Sequence, residues 1–392
     1  MDTSEGLKFI ANTYARFPIF IEKAEGIKVW DKDGKEYIDF TSGIAVCNLG
    51  HCNKEVIRAV SNQMNRLFHI SNLYWTHPQI EVARILVENS CADKVFFCNS
   101  GAEAVEAAIK LARKYAHETK GPDCYEIISL EGSFHGRTLA AITATGQRIY
   151  QRGFEPLPDG FTHVPPNDVK SLELAVNQRV AGILLEPIQG EGGVRPLNDN
   201  FLMAARELAD KWNIPLIFDE VQVGIGRTGT LFAYEQTPIE PDVICLAKAL
   251  GNGVPIGAML SKEKFIKCLG PGSHASTFGG NPLACSAAKT VLTIITDKDF
   301  LKSVQEKGKY LSKSLEELRS EFSIVEEVRG RGLIQAIEFK EELPSLLEHL
   351  MQNGFLAIFT HGKILRLLPP LIVEKEHIDS FLSCIRNFLQ EN

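Results

Sequence analysis

Short runs of apolar residues, separated by glycine-containing turns and helical patterns, recur through the middle of the chain and constrain its fold most. Runs of this kind occupy 94–98, 125–130, 180–185, 215–219 and 243–246. Each run is continuously apolar, as expected of strands in a parallel sheet that is covered on both faces. Helical patterns lie between the runs, at 102–116 and 201–212. This order predicts an α/β fold with a mainly parallel sheet covered by helices.

The two ends of the chain show a different pattern. Near the start, 29–31 and 37–40 flank Asp33-Gly34, a sequence typical of a hairpin turn. From about 284 a helical pattern runs to 321 with a predicted break at Asp297, followed by further strand and helix patterns at 333–339, 344–352, 356–359 and 375–390. We therefore expect a large domain over 51–290 and a smaller α+β domain built from an N-terminal arm, 1–50, and a C-terminal segment, 291–392.

Composition excludes several classes of protein. The chain has 42 Lys and Arg against 49 Asp and Glu, a net charge of −7, and no dense basic run, which argues against a nucleic-acid partner. No stretch is long and apolar enough to predict a membrane span, and the N-terminus lacks the apolar segment of a secretory signal. The nine cysteines contain no C-x-x-C pair, so free thiols in the cytoplasm are favoured over disulfides or a metal site.

A helix start follows the strand predicted at 94–98. In Ser100-Gly101-Ala102-Glu103, the serine and the glutamate have the spacing of a capping box. The same segment offers free N–H groups and the positive end of a helix dipole, which together favour a phosphate group. The residues alone fit a structural cap and a phosphate site equally well.

Two charged residues follow neighbouring predicted strands. Asp219 comes after an apolar run, where a carboxylate is costly unless it has a partner. The partner could be a structural one or a cationic ring nitrogen. Lys248 lies among small residues after the run at 243–246. A lysine buried there would have a lowered pKa and could act as a Schiff-base nucleophile, whereas a lysine reaching solvent would be unremarkable chemically.

Two loops contribute further candidates. Phe134 precedes His135-Gly136 and could stack on a flat ligand, while Arg137 is suited to binding a carboxylate through two hydrogen bonds. The hydroxyl groups of Ser276 and Thr277 could reach a phosphate. A core phenylalanine, a surface arginine and loop-capping hydroxyls are the plainer alternatives. Sequence motifs of P-loop proteins, zinc proteases and serine hydrolases are absent from the chain.

The cofactor pyridoxal 5′-phosphate suits a phosphate-binding helix start, a stacking aromatic ring, a carboxylate and a lysine in one site. The chain resembles the class III aminotransferases of fold type I. It is most similar to their acetylornithine branch. The matching motifs occupy 40–46, 99–104, 133–138, 186–193, 218–229, 246–258, 276–284 and 365–371. The resemblance extends from about Tyr14 to the C-terminus.

The resemblance implies a role for each matching position. Lys248 would hold the cofactor covalently and move a proton, and Asp219 would pair with the ring nitrogen. The remaining cofactor contacts would come from Gly101, Ala102, Phe134, Glu220, Val221, Gln222 and Thr277. In this family the threonine reaches the neighbouring subunit's phosphate, which implies a homodimer. No metal is implied.

The resemblance also implies a substrate site and a reaction. Arg137 and Ser276 would contact substrate, and Glu191 would mask Arg366 until a substrate carboxylate arrives. The implied reaction converts N2-acetylornithine and 2-oxoglutarate into N-acetylglutamate 5-semialdehyde and glutamate, in arginine biosynthesis. Ornithine, succinyldiaminopimelate, succinylornithine and 4-aminobutyrate remain alternative donors. An aminomutase of the glutamate-semialdehyde type and a non-catalytic protein that binds the cofactor are more remote alternatives.

Overall fold

The computed structural model describes residues 3–391. Met1 and Asp2, which form part of the segment in which no secretory signal is predicted, lie outside this range. The helices are α1 (Thr3–Phe9), α2 (Ser42–Ala45), α3 (Lys54–Met64), α4 (His77–Glu88), α5 (Gly101–Lys120), α6 (Leu139–Ala144), α7 (Arg148–Gln151), α8 (Val169–Ala175), α9 (Asp199–Trp212), α10 (Glu263–Ile266), α11 (Pro282–Ile295), α12 (Lys298–Glu321), α13 (Pro344–Gln352) and α14 (Lys375–Glu391). Among them, none is both long enough and apolar enough to cross a membrane.

Seventeen strands accompany these helices. They are β1 (Ile21–Glu25), β2 (Lys28–Asp31), β3 (Glu36–Asp39), β4 (Lys94–Cys98), β5 (Glu126–Leu130), β6 (Phe161–Val164), β7 (Val180–Leu185), β8 (Ile188–Gln189), β9 (Arg195–Pro196), β10 (Leu216–Asp219), β11 (Val243–Leu246), β12 (Gly257–Ser261), β13 (Val325–Arg331), β14 (Ile334–Phe339), β15 (Phe355–Leu356), β16 (Ile358–Thr360) and β17 (Ile364–Leu367). Two 3₁₀ turns, Ala233–Gln236 and Lys248–Gly251, complete the regular structure.

A sheet of seven strands in the order β4-β12-β11-β10-β7-β5-β6 forms the centre of the molecule. The five strands from β11 to β6 pair in parallel, and β12 is antiparallel to both of its neighbours. All residues of β7, β10 and β11 are buried, which explains their continuous apolar sequences. The predicted mainly parallel sheet is confirmed. The strands β6 and β12 were not predicted, because one is only half-buried and the other emerges from a Gly- and Pro-rich stretch.

Two further sheets have four strands each, and the first of them combines residues from both ends of the chain. One has the order β1-β2-β3-β15, and the other has the order β13-β14-β17-β16. The single strand predicted at 356–359 is therefore wrong. Its first part, β15, pairs in parallel with β3, whereas β16 pairs with β17 in the other sheet. The predicted helix break is confirmed, since the Asp297 side chain caps α12 by accepting the Phe300 N–H at 2.9 Å. The division at 50 and 290 stays a prediction.

A fully buried arginine joins separate parts of the chain. Arg227, in the loop after β10, is 0% exposed. It donates to the carbonyl oxygens of Leu333 and Pro369 and to the side chains of Ser42 and Asn48. No carboxylate contacts it among the described residues, and burial lowers its pKa to about 9. The loop after β10 is thus tied to both chain ends through neutral acceptors.

An ion pair closes the end of β3. The His51 Nε2 lies 2.8 Å from an Asp39 carboxylate oxygen, and the other oxygen of Asp39 accepts the Thr41 N–H at 2.7 Å. The hydrogen bond to Asp39 is the main reason that the pKa of His51 rises to about 10. Because this pKa exceeds the ordinary value of 6.5, protonated His51 stabilises the folded state. This contribution is complete below pH 6.5 and is lost as the pH rises through about 10.

We expect His51→Gln to lower the free energy of unfolding by about 1–3 kcal/mol at pH 6.5, because it removes a charged hydrogen bond. The difference between the variant and the wild type should shrink at pH 9.5. Chemical unfolding at both pH values tests this. A difference that stays constant with pH would contradict the assignment of a protonated histidine.

Candidate active site

A cleft opens where the parallel strands of the central sheet end. Its cavity has a volume of about 630 Å³, within the range of small-molecule sites. β10 and β11 pair in parallel with Asp219 opposite Cys245, so their carboxyl ends meet at one edge. The predicted residues that line the cavity are Gly101, Ala102, Phe134, Arg137, Asp219, Val221, Gln222 and Lys248. The fold therefore brings these eight positions together.

Lys248 begins a 3₁₀ turn directly beyond β11 and has a left-handed φ of +40°. Within residues 3–391 its amine forms no hydrogen bond or ion pair. Burial lowers its pKa to about 8, although the nearby Glu191 carboxylate opposes this shift. A substantial fraction of the amine is therefore neutral near pH 8, as a nucleophile or general base requires.

Asp219 has a partner that sequence reasoning missed. One carboxylate oxygen accepts from the His135 Nδ1 at 2.8 Å, and the other accepts the Val221 N–H at 3.0 Å. The His135 ring is fully buried, and its Nε2 has no hydrogen-bond partner among the described residues. The only signal in the sequence is that His135 belongs to a loop at the same sheet edge. The pair fixes the Asp219 carboxylate in the cleft wall.

The start of α5 forms a cradle of backbone N–H groups. The Ser100 hydroxyl accepts the Glu103 N–H at 3.2 Å, while the Glu103 carboxylate accepts the Asn99 N–H at 2.6 Å. In the predicted capping box the Glu103 carboxylate would accept the N–H of Ser100. The structure shows it accepting the N–H of Asn99, one residue earlier. The first-turn N–H groups of Gly101 and Ala102 have no partner within the helix. A Cβ on Gly101 would lie 2.7 Å from a Val221 methyl group, so only glycine permits this approach.

The Phe134 ring is held at the cleft by its neighbours. Its backbone N–H donates to the Glu186 carboxylate at 3.0 Å, and its ring meets Tyr150 edge-on at 5.7 Å. Burial raises the pKa of Glu186 to about 7, although His135 opposes this shift. The phenylalanine is therefore fixed by its own backbone, and its half-buried ring is available to a flat ligand.

A masked arginine lies at one side of the cleft. The Arg366 Nη1, on β17, donates to Glu191 at 2.6 Å and to the Gln222 side-chain oxygen at 3.1 Å. Gln222 also donates to the same Glu191 oxygen at 3.3 Å. Burial alone would raise the pKa of Glu191, but the Arg366 guanidinium outweighs it and the net shift is downward. Glu191 is therefore ionised, and its carboxylate neutralises the charge of the arginine.

Arg137 differs from Arg366 in having no acid partner among residues 3–391. Its guanidinium stacks over the Tyr150 ring at 4.0 Å and over Phe134 at 5.5 Å. The side chain is exposed and lines the cavity. Stacking leaves the edge of the guanidinium free to bind a carboxylate.

Three predicted residues lie elsewhere. The Glu220 carboxylate points away from the cavity and accepts the N–H groups of Ala233 and Tyr234 at 2.6 and 2.8 Å, and burial raises its pKa to about 8. Ser276 contacts the rim, where its hydroxyl accepts from Asn99 at 3.1 Å. Thr277 lines a separate small pocket. The structure does not bring Glu220 or Thr277 into this chain's own cleft.

A left-handed turn borders the cavity on the side of the N-terminal arm. The residues of α2, Ser42–Ala45, have φ values of +45°, +64°, +64° and +59°, and the next residue, Val46, lines the cavity. Each non-glycine residue in this conformation costs roughly 1–2 kcal/mol. The Ser42 hydroxyl donates to the Leu368 carbonyl at 2.6 Å and lies 3.3 Å from Arg227. Long-range contacts therefore maintain a strained turn beside the site.

Gly43→Ala should lower the free energy of unfolding by about 1–2 kcal/mol through backbone strain alone, because a Cβ there meets only Val46 at 3.8 Å. Gly270→Ala is the matched control, since its Cβ meets nothing within 4 Å and its φ is ordinary. Chemical unfolding of both variants measures the difference. Equal stabilities would show that the turn is not strained.

The comparisons with known proteins agree with this geometry. A family model described as Aminotransferase class-III matches residues 9–389. The acetylornithine aminotransferase of Methanocaldococcus jannaschii is 48% identical, over 98% of this chain and 96% of the relative. The acetylornithine aminotransferase of Bacillus cereus is also 48% identical, over 95% of each chain.

Solved structures give the same result. The ornithine aminotransferase from Toxoplasma gondii superposes with a TM-score of 0.93 at 35% identity, covering 98% of this chain and 95% of that one. The acetylornithine aminotransferase from Elizabethkingia anophelis superposes with a TM-score of 0.88 at 34% identity, covering 99% and 98%. In the part of the chain that the structure describes, no group of three or more His, Cys, Asp or Glu could hold a metal ion.

Proposed function

The chain belongs to the class-III aminotransferases, and from this membership we propose that it transfers the δ-amino group of N2-acetylornithine to 2-oxoglutarate. The products are N-acetylglutamate 5-semialdehyde and glutamate. The observation that carries this proposal is a cleft lined by Arg137, which has no acid partner among the described residues, with a second arginine, Arg366, masked by Glu191 and bonded to Gln222 of the cleft wall. The name of the relatives at 48% identity supports the choice of donor.

The residues of the cleft fit pyridoxal 5′-phosphate. The N–H groups of Gly101 and Ala102 suit its phosphate, and the absent side chain at Gly101 leaves that cradle open. Asp219 would hold the protonated ring nitrogen, and the unpaired Lys248 amine would hold the aldehyde. Phe134 and Val221 would cover the ring, with Gln222 near its phenolate oxygen. When bound, the cofactor supplies a carbonyl carbon that takes up the amino group and a ring that accepts electrons.

Lys248 and Asp219 would carry out the central steps. The lowered pKa of Lys248, about 8, lets its Nζ take a proton from one carbon and return it to another at neutral pH. The Asp219 carboxylate would meet the ring nitrogen in a fixed orientation, because His135 and the Val221 N–H hold both of its oxygens. His135 is therefore a positioning residue for Asp219.

The two arginines would orient the two substrates differently. Arg137 would bind the donor's α-carboxylate, which directs the distal amine toward Lys248. Meanwhile Glu191 neutralises Arg366, so the cationic amine of the donor does not meet a second unpaired cation. For 2-oxoglutarate, Glu191 would turn away, and Arg366 would bind the α-carboxylate while Arg137 binds the distal one. One site thus accepts two substrates of different charge pattern.

The test begins with the purified enzyme and its bound cofactor. Adding N2-acetylornithine without acceptor should change the cofactor's absorbance, and adding 2-oxoglutarate should restore it. Among the alternative donors, kcat/KM should be highest for acetylornithine, by about 10-fold or more. Lys248→Ala should still bind the cofactor but show neither change. A wild-type enzyme that responds to another donor and not to acetylornithine would contradict the proposed substrate.

We also propose a homodimer, on the evidence of an exposed apolar surface, and a cytoplasmic location, on the evidence of nine cysteines that are free in the described structure. Leu73, Trp75 and Phe278 are 83%, 87% and 60% exposed, and Thr277 adjoins them outside its own cleft. Contiguous apolar patches of this kind mark interaction sites. A second copy would cover the patch and receive Thr277 at its cofactor phosphate. We expect sedimentation to give twice the chain mass of 43.5 kDa, and a monomer would contradict the proposal.

A further inference from the structure

The loop that carries Glu191 is held by the same hairpin that carries Arg366. β16 and β17 form this hairpin, and Arg366 lies in β17. His361, in the turn between the two strands, donates from Nε2 to the Glu191 carbonyl oxygen at 3.0 Å. Arg366 contacts the Glu191 side chain at 2.6 Å. One hairpin therefore holds both the backbone and the side chain of the masking residue.

The backbone around Glu191 has little room to move. A Cβ on Gly190 would lie 2.1 Å from the Gln222 side-chain oxygen, and one on Gly192 would lie 2.5 Å from the Gly132 carbonyl oxygen. Arg329 adds a second anchor, because its Nε donates to the Gly193 carbonyl at 2.8 Å. The Glu191 side chain, by contrast, is 22% exposed. Unmasking of Arg366 must therefore occur by rotation of that side chain from a fixed backbone.

The conformation of His361 gives a second, independent observation. Its φ is +49°, in the left-handed region that favours glycine, and Gly362 follows with a φ of +73°. The His361 side chain is exposed, so packing in a core does not account for the strained backbone. The tight turn between β16 and β17 keeps His361 and Gly362 in this conformation and so gives the His361 side chain a fixed direction. The direction observed is toward the Glu191 carbonyl.

We propose that His361 is a positioning residue for the Glu191–Arg366 pair and sets the balance between masked and open Arg366. This inference rests on the proposed function, in which the donor requires the masked arginine and the dicarboxylate acceptor requires the open one. While His361 holds the Glu191 carbonyl, the Glu191 side chain lies within hydrogen-bonding distance of Arg366. The masked state is therefore favoured. Without that hydrogen bond the Glu191 backbone keeps Arg329 as its neighbouring anchor but loses the one at Glu191 itself, so the side chain is aimed less well at Arg366 and the open state is favoured.

The test compares His361→Phe, which keeps a ring but loses the donor, with His361→Gln, whose amide N–H has a similar reach. The dissociation constant of glutarate, a dicarboxylate, is measured by calorimetry on the enzyme with its cofactor. Since binding requires open Arg366, we expect His361→Phe to bind glutarate about 3- to 10-fold more tightly. Its KM for acetylornithine should rise by a similar factor while its KM for 2-oxoglutarate does not rise. His361→Gln should stay within about twofold of the wild type.

Two controls separate positioning from a general loss of structure. His349→Phe alters another histidine of the C-terminal segment, one that contacts Phe388, and should leave both measurements unchanged. His361→Ala should reproduce His361→Phe without adding a new ring. Equal changes in both KM values, or unchanged glutarate binding in His361→Phe and His361→Ala, would overturn the inference. A wild type that binds glutarate but ignores acetylornithine would overturn the proposed donor and leave the glutarate comparison valid.

Discussion

The parallel pairing of β10 with β11 determines where the chemistry of this molecule can occur. Because the two strands run in the same direction, the residues that follow them meet at one edge of the sheet, and these residues are Asp219 and Lys248. The phosphate cradle at the start of α5 and the Phe134 loop open onto the same edge. The strands are entirely buried, so Asp219 is fixed by a rigid core, and Lys248 is positioned by the 3₁₀ turn that follows the core strand β11.

Around this edge, burial acts on the pKa values of Lys248, Glu186 and Glu191, and the net shift of each depends on its contacts. Lys248 lacks a direct partner and shifts toward neutrality, with a pKa of about 8. Glu186 accepts only backbone N–H groups on its oxygens, and its pKa rises to about 7. Glu191 contacts a guanidinium and remains ionised. The cleft thus combines an amine whose pKa is lowered toward neutral pH with an ion pair whose charges compensate each other.

Local sequence patterns predicted what depends on local structure. The buried strands and the break at Asp297 were predicted because apolar runs and caps are visible in neighbouring positions, whereas Val221 and Gln222 of the cleft were implied only by the resemblance to the class III aminotransferases. What could not be predicted depends on distant contacts. The partner of Asp219, His135, lies 84 residues away, and the division of 356–359 between two sheets depends on β3 and β17. The left-handed turn at Ser42–Ala45 could not be predicted for the same reason. Its first residue, Ser42, is held by hydrogen bonds with the distant residues Arg227 and Leu368.

The buried arginine beyond β10 has a consequence for the order in which the chain matures during synthesis. Arg227 emerges from the ribosome well before two of its acceptors, the carbonyl groups of Leu333 and Pro369. A buried cation without acceptors is strongly unfavourable, so the loop after β10 cannot settle while those carbonyls are still untranslated. The residues of the same loop that line the cleft, Val221 and Gln222, therefore reach their final positions only when translation of the chain is nearly complete.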